Sequence, residues 1–352
     1  MKIKGTFTDI EVKATIIDEA TIAQLEAIAN NKYYAGAKIV VMPDTHAGKD
    51  CVVGFTMQYA PTNPIINPNI VGVDISCGML VQPLITTKVD FELFDEIVKS
   101  VVNTEKTYTF ENKFRAPVDT IDRPYEYHEK QIGTLGYGNH FVELDKGQDG
   151  KLYLVIHSGS RNLGHRICNY YAKKCVDGVL CGHDVQDYLY DMELVQQYAS
   201  LNREMLLLDI LFASHFEYKK SQRFETLHNY IDLEKRIIRK GAISAQKDEL
   251  VLIPLNMKDG SIIGKGKGNA DWNFSAPHGA GRIMSRTEAK QKVKLEDYAN
   301  SMAGIYSTCI NEKTIDESVF AYKPSEVILE DIKETIEVLE VIKPIYNFKN
   351  SK

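Results

Sequence analysis

Four short apolar runs, each too brief for a helix and each opening into a polar stretch, limit what this chain can fold into. They are Lys38-Ile39-Val40-Val41-Met42, Ile70-Val71-Gly72-Val73-Asp74, Leu152-Tyr153-Leu154-Val155-Ile156 and Leu250-Val251-Leu252-Ile253. Unbroken apolar runs of about four to eight residues, rich in β-branched side chains, suit strands buried on both faces. Pro43 is expected to stop the first run, and the second follows a turn-rich stretch that begins at Pro61. Helical spacing appears in Phe91, Phe94, Val98, Val101 and Val102, and again in Leu201, Met205, Leu208 and Phe212. A third stripe, Val327, Ile328, Ile332, Ile336, Leu339 and Ile342, predicts a helix ended by Pro344. All three stripes are read as core-facing. Strands and helices alternate without a regular βαβ rhythm, which points to the α+β class: β-sheets packed with helices around a cleft. No linker-like or low-complexity tract divides the 352 residues, so one large domain spanning 1–352 is expected.

Composition narrows the function classes. Hydrophobic residues at 44% and charged residues at 26% are a globular balance, which excludes a disordered chain. With 42 basic and 48 acidic residues the net charge is −6, so bulk charge cannot attract nucleic acid and any such path must be a local basic groove. No signal-like apolar core follows Met1 and no run of about 18 apolar residues occurs, so a soluble, cytoplasmic protein without membrane contact is expected. The six cysteines contain no Cys-x-x-Cys pair, and Cys168, Cys175, Cys181 and His183 match no common structural zinc spacing.

The residues capable of chemistry lie at strand ends and in glycine-rich loops. In Asp74-Ile75-Ser76-Cys77-Gly78 a carboxylate and a thiol three residues apart can converge on one cation, and a thiolate can bridge two. Gly136-Tyr137-Gly138-Asn139-His140-Phe141-Val142-Glu143 places an imidazole and a carboxylate just after a glycine turn. His157 follows a strand, and His228 is expected to add a further imidazole from a helix. The set Asp74, Cys77, His140, His157 and His228 suits Mn²⁺ or Zn²⁺ better than Mg²⁺, because its donors are partly soft. Ser275-Ala276-Pro277-His278-Gly279-Ala280-Gly281-Arg282 offers a histidine among small residues, followed by arginine. Glycines let backbone amides approach phosphate, arginine binds it bidentately, and histidine can act as a nucleophile toward phosphorus. No Walker-type phosphate loop is present.

Taken together, these segments resemble the RtcB family of GTP-dependent 3′-phosphate/5′-hydroxyl RNA ligases. The resemblance rests on Met42-Pro43-Asp44-Thr45-His46, Gly72-Val73-Asp74-Ile75-Ser76-Cys77-Gly78, and Gly133-Thr134-Leu135-Gly136-Tyr137-Gly138-Asn139-His140-Phe141. It continues in Ile156-His157-Ser158-Gly159-Ser160-Arg161, His228-Asn229, Arg239-Lys240-Gly241-Ala242, His278-Gly279-Ala280-Gly281-Arg282, Ala321-Tyr322-Lys323 and Lys349. The motifs occur in family order from about residue 40 onward.

The resemblance implies that Asp74, Cys77, His140, His157 and His228 hold two Mn²⁺ ions, with Cys77 between them. It implies that His278 attacks the α-phosphate of GTP, and that the GMP passes to an RNA 3′-phosphate before a 5′-hydroxyl joins the strands. A 2′,3′-cyclic phosphate end is first opened by hydrolysis. The carried-over nucleotide contacts are Asn139, Glu143, His228, Asn229, Pro254, Asn256, Met257, Ser261, His278, Gly279, Ala280, Gly281 and Lys349. Arg161, Arg282 and Arg286 are candidates for RNA phosphate, and an accessory activating protein is a candidate partner. Departures are Ser76 for the usual glycine, Tyr137 for the usual serine, and Pro254-Leu255-Asn256-Met257 for Pro-Gly-Ser-Met. The segment 104–131 is short and lacks the family's glycine-rich stretch. Two rival readings are a metallophosphoesterase acting on RNA ends and a catalytically silent RNA-end-binding protein.

Overall fold

The computed structural model describes residues 1–59, 65–106, 108 and 123–350. The turn-rich stretch at 61–64 and most of 104–131 therefore lie outside the described residues. The larger sheet has seven strands, in the order Leu250–Asn256, Gly260–Gly266, Ile336–Phe348, Phe141–Lys146, Leu152–Ser158, Gly78–Pro83 and Phe224–Leu227. Every ladder in it is antiparallel. Its two edge strands come together, where the Leu252 amide donates to Oγ1 of Thr226 at 3.0 Å, so the sheet rolls almost into a barrel.

Because successive side chains alternate faces, Phe141, Tyr153, Val155, Leu252, Ile263 and Ile342 meet inside the roll as one apolar cluster. The outer face packs Val142, Leu144, Leu154 and Ile156 against Phe94 and Val98 of the helix Phe91–Asn103 and Leu206, Leu207 and Ile210 of the helix His183–Ala213. A second, six-stranded sheet runs Lys2–Ile3, Ile10–Val12, Lys38–His46, Val53–Gln58, Ile237–Lys240 and Tyr230–Asp232. The short pair Ala242–Ser244 and Ser275–Pro277 forms the remaining sheet. This is the expected α+β architecture. No helix among the described residues is long and apolar enough to cross a membrane.

Four local expectations are corrected. The strand expected at 70–74 is instead a 3₁₀ turn, Pro68–Ile70, followed by a loop, and the strand begins at Gly78. Pro68 starts that turn and Gly72 adopts φ 102°, which breaks an extended ladder. Pro43 does not end its strand, which continues to His46, because it falls in the irregular stretch between the pairs Val41↔Phe55 and His46↔Val53. A bulge is one of the few places where a residue without an N–H fits a sheet. The C-terminal helix stops at Asp331, and Ile336–Phe348 is a 13-residue strand between two partners. Its β-branched residues gain two ladders there, and Pro344 again sits at a register shift. The helix His183–Ala213 packs Leu201 and Met205 against the core as expected, but its fully buried face there is Leu206, Leu207, Ile210 and Leu211, and Phe212 is 83% exposed.

Candidate active site

The antiparallel ladders explain how distant residues meet. His140 precedes the strand Phe141–Lys146, Cys77 precedes Gly78–Pro83, His157 lies near the end of Leu152–Ser158, and His228 follows the strand Phe224–Leu227 instead of lying on the expected helix. These four strands are neighbours, and the alternation of their directions puts all four residues at one end of the roll. The donor atoms of Cys77, His140 and His157 lie within 4.8 Å of one another, and all three residues are buried. The Cys77 sulfur stands 3.1 Å from Nε2 of His157 and 3.4 Å from Nε2 of His140. Asp74 joins through Oδ2, 3.1 Å from Nε2 of His140. The His228 ring sits 5.4 Å from His157, centroid to centroid, with its buried Nδ1 unpartnered among the described residues.

The loop carrying Asp74 is packed to its limit. The Ser160 amide and hydroxyl donate to Oδ1 of Asp74 at 2.9 and 3.1 Å. A Cβ on Gly159 would lie 2.2 Å from that oxygen, so glycine is required at this close approach. Ser76, at the position where the resemblance expects glycine, adopts φ 56°, and Arg161 and Asn229 adopt φ 55° and 60°. Three non-glycine residues in the left-handed region around one cluster are backbone strain of the kind held at functional sites.

Electrostatics suit the cluster to a cation. Burial holds His157 and His228 well below the usual imidazole range, so their ring nitrogens are neutral and able to coordinate. Burial alone would raise Asp74, but the hydrogen bond and charge of His140, then the charge of Arg161, hold its carboxyl below the usual range. Burial, reinforced by Asp74, pushes the Cys77 thiol well up. Such a thiol ionises when a cation binds beside it. Sulfur, imidazole nitrogen and carboxylate together fit Mn²⁺ or Zn²⁺.

His278 emerges from the short strand Ser275–Pro277. Its Nδ1 lies 2.6 Å from Oδ2 of Asp44, and its backbone amide donates to the same oxygen at 3.1 Å. Asp44 is completely buried in the strand Lys38–His46. With Nδ1 engaged, Nε2 is left for chemistry, and the ring stands 4.8 Å from that of His228. Gly281, at φ 74°, brings the loop so close that a Cβ there would meet the Asp44 carbonyl at 2.2 Å. Sequence reasoning cited the motif containing Asp44 but gave that carboxylate no role.

A cleft of 360 Å³, within the range of small-molecule sites, joins the two halves. Asp74, Cys77, His157, His228 and His278 line it, as do Asn139, Glu143, Asn229, Pro254, Asn256, Met257, Gly279, Ala280, Gly281 and Lys349. Ser261 is not on the wall; it is fully buried opposite Pro254 in the ladder. Asn256 spends its side chain on its own turn, accepting from the Asp259 amide at 2.8 Å and donating to the Asp259 carboxylate at 2.8 Å. Leu255, the other departure, is buried in the apolar cluster beside it. Lys349 reaches the Asn139 carbonyl at 3.2 Å and Oε2 of Glu317 at 3.1 Å.

Glu317 is a second residue that sequence reasoning missed. It takes Arg286 at 2.6 Å and Arg282 at 3.5 Å, and it accepts from the Tyr322 hydroxyl at 2.9 Å. Burial would raise this carboxyl, but Lys349, Arg286 and Arg282 hold it at about 2. Of the candidate RNA contacts, Arg282 and Arg286 are on the cleft wall. Arg161 lies behind the cluster, donating from Nε to Oγ1 of Thr134 at 3.2 Å.

The chain matches the family described as tRNA-splicing ligase RtcB over residues 24–113 and 98–350. It is 30% identical over 366 residues to the RNA-splicing ligase RtcB of Escherichia coli (strain K12), covering 87% of this chain and 88% of that protein. It is 27% identical over 367 residues to the RNA-splicing ligase RtcB2 of another Escherichia coli strain, covering 95% and 93%. The tRNA-splicing ligase RtcB of Aeropyrum pernix is 26% identical over 419 residues, covering 88% and 85%.

Proposed function

Because this chain belongs to the RtcB family, we propose that it is a GTP-dependent ligase that joins RNA 3′-phosphate or 2′,3′-cyclic phosphate ends to 5′-hydroxyl ends. The observation that carries the reading is the His278 ring, aligned by Asp44 at 2.6 Å and facing a buried sulfur–imidazole–carboxylate cluster across one cleft. Nε2 of His278 attacks the α-phosphorus of GTP, a P–N bond forms and pyrophosphate leaves. An oxygen of the RNA 3′-phosphate then takes the GMP and breaks the P–N bond. Attack by the 5′-hydroxyl on that activated phosphate releases GMP and seals the strand. A cyclic end is first opened by water.

Asp74, Cys77, His140, His157 and His228 would hold two Mn²⁺ ions, and these would supply positive charge to neutralise phosphate. The chain's own residues do the rest. Asp44 holds the tautomer and direction of the His278 ring. Asn139, Glu143 and Lys349, with the turn Gly279-Ala280-Gly281, hold the nucleotide. The whole of 1–352 acts as one ligase domain in the cytoplasm, in RNA repair or tRNA splicing, with an accessory activating protein as a candidate partner.

Incubation with labelled GTP and Mn²⁺ tests the reading: an acid-labile protein–GMP adduct is expected. A folded, Mn²⁺-loaded protein that never acquires label is instead a phosphoesterase or an RNA-end sensor. The arginines give a separate prediction. Arg282→Ala should weaken use of RNA ends by about 10- to 100-fold, the worth of one charge-assisted phosphate contact, and Arg161→Ala, off the cleft wall, by less. Mn²⁺ content should be retained, because guanidinium does not bind cations. Loss of metal with RNA affinity intact, read by metal analysis and RNA titration, would reassign that arginine as a brace for the Asp74 loop.

A further inference from the structure

The long helix His183–Ala213 buries an apolar face that includes Ala199, Leu206, Leu207 and Ile210, and Asn202 and Arg203 stand on that same face at 0% exposure. Taking an amide and a guanidinium out of water costs more than burying apolar side chains of their size, so their partners must explain them. Nη1 of Arg203 donates to the Ser76 carbonyl at 2.7 Å and to the Ser158 carbonyl at 2.8 Å. Ser76 adjoins Cys77 and Ser158 adjoins His157, and the two strands are paired there, with Gly78 opposite Ser158. Nε of Arg203 donates to Oε1 of Glu225 at 2.6 Å, which balances the buried charge, and Nη2 donates to Oγ of Ser200 at 3.2 Å. Glu225 lies in the strand Phe224–Leu227, which leads to His228.

Asn202 reaches the neighbouring loops. Its Nδ2 donates to the Ser158 hydroxyl oxygen at 3.0 Å and to the Gly159 carbonyl at 3.1 Å. Gly159 is the residue against which the Asp74 carboxylate is packed. The Asn202 Oδ1 accepts from the Thr134 amide at 3.1 Å. The next carbonyl, that of Leu135, accepts from Nδ1 of His140 at 2.9 Å and from the Ser158 hydroxyl at 2.9 Å. With Nδ1 donating, Nε2 of His140 is the nitrogen turned to Cys77 and Asp74. Two consecutive residues of one helix therefore grip the backbone from which four of the five candidate ligands project.

A metal site needs its donors held to within about 0.5 Å, and here they come from separate strands and loops. Ser76 adds a demand of its own, because its φ of 56° is a conformation that relaxes unless the surroundings hold it. We propose that Asn202 and Arg203 are positioning residues of the metal centre, fixing the loops of Asp74, Cys77, His140 and His157 so that their donor atoms converge. This rests on the reading of that cluster as a metal centre, and it adds two residues that act through the ligands rather than on substrate. The shape of the guanidinium matters. Its planar fork serves two carbonyls through one nitrogen while a second nitrogen engages Glu225, an arrangement the single ammonium of lysine does not reproduce.

The test uses full-length, chelator-treated protein without nucleotide or RNA, titrated with Mn²⁺ and, separately, with Co²⁺ as a visible probe. Asn202→Ala and Arg203→Lys should each fold and bind Mn²⁺ about 10- to 100-fold more weakly, the cost of losing a partner behind the ligands. The sulfur-to-cobalt charge-transfer band should weaken or shift in both, because the Cys77 sulfur no longer meets the ion in its native place. Ile210→Ala is the control. It opens a cavity about two turns along the same buried face and removes no polar contact, so it should lower the melting temperature yet keep wild-type Mn²⁺ affinity and cobalt band. Wild-type affinity and band in Asn202→Ala or in Arg203→Lys overturn the proposal for that residue. An Ile210→Ala protein that loses metal equally overturns it for both, since affinity would then only track stability. Should Arg203→Lys not fold, Asn202→Ala against Ile210→Ala decides. Wild-type protein that binds neither ion overturns the metal reading and this inference together, an outcome distinct from wild-type binding that the variants share.

Discussion

His278→Ala is expected to fold, to bind Mn²⁺ as the wild type does and to take up no GMP at all. The expectation follows from the position of the ring, which is none of the five candidate ligands and is held by the cleft's other wall through Asp44. Loss of the imidazole removes the atom proposed to form the P–N bond, while the cluster around Cys77 keeps its partners. The variant should still join an RNA strand supplied with a guanylylated 3′ end, because that substrate bypasses the covalent step. That rescue separates loss of a nucleophile from collapse of the cleft. Asp44→Asn gives the graded version. It keeps the side chain's size but replaces the charge behind Nδ1, and adduct formation should slow by as much as about 10⁴-fold, as when a histidine loses its aligning carboxylate. GMP captured covalently by the alanine variant would place the nucleophile elsewhere.

Much of this site was legible in the sequence, for a physical reason. Cys77, His140 and His157 each stand at the boundary of an apolar run, and a buried strand ends in a loop that is free to carry function. What the sequence hid is how pairs form across long separations. Asp44 sits 234 positions from His278, and nothing local marks a buried carboxylate as a partner rather than a turn residue. Glu317, next to Asp316, likewise has nothing local to mark it, yet it collects Lys349, Arg282 and Arg286. The strand Ile336–Phe348 was misread because Ile336, Leu339 and Ile342 repeat at three-residue spacing. In the fold, a register shift opposite Ile263 and Gly264 interrupts the period-two alternation that would have identified a strand. Ser76 shows the converse: the resemblance expects glycine there, and the chain adopts the glycine-like φ of 56° with serine.

Cys77→Ala should lose at least one of the two Mn²⁺ ions and all ligation, while remaining folded. The sulfur touches both neighbouring imidazoles, at 3.1 Å from His157 and 3.4 Å from His140, so it is the atom through which separate metal positions would be joined. A ligand that serves two ions removes coordination from both when it goes, and affinity should fall by well over about 100-fold, beyond what loss of an outer-shell partner costs. Cys77→Ser should fare almost as badly, because a hydroxyl is a harder and far weaker bridging donor than a thiolate. Folding should survive in both, since the backbone of Cys77 keeps its bond to the His228 amide at 2.8 Å and the side chain lost is small. The decisive number is Mn²⁺ per folded protein, measured on material whose melting curve matches the wild-type apoprotein. Two ions retained by the alanine variant would rule out the bridging role. Ligation lost with both ions retained would make Cys77 a group that acts on substrate instead, because its sulfur would then be needed only once RNA and GTP are present.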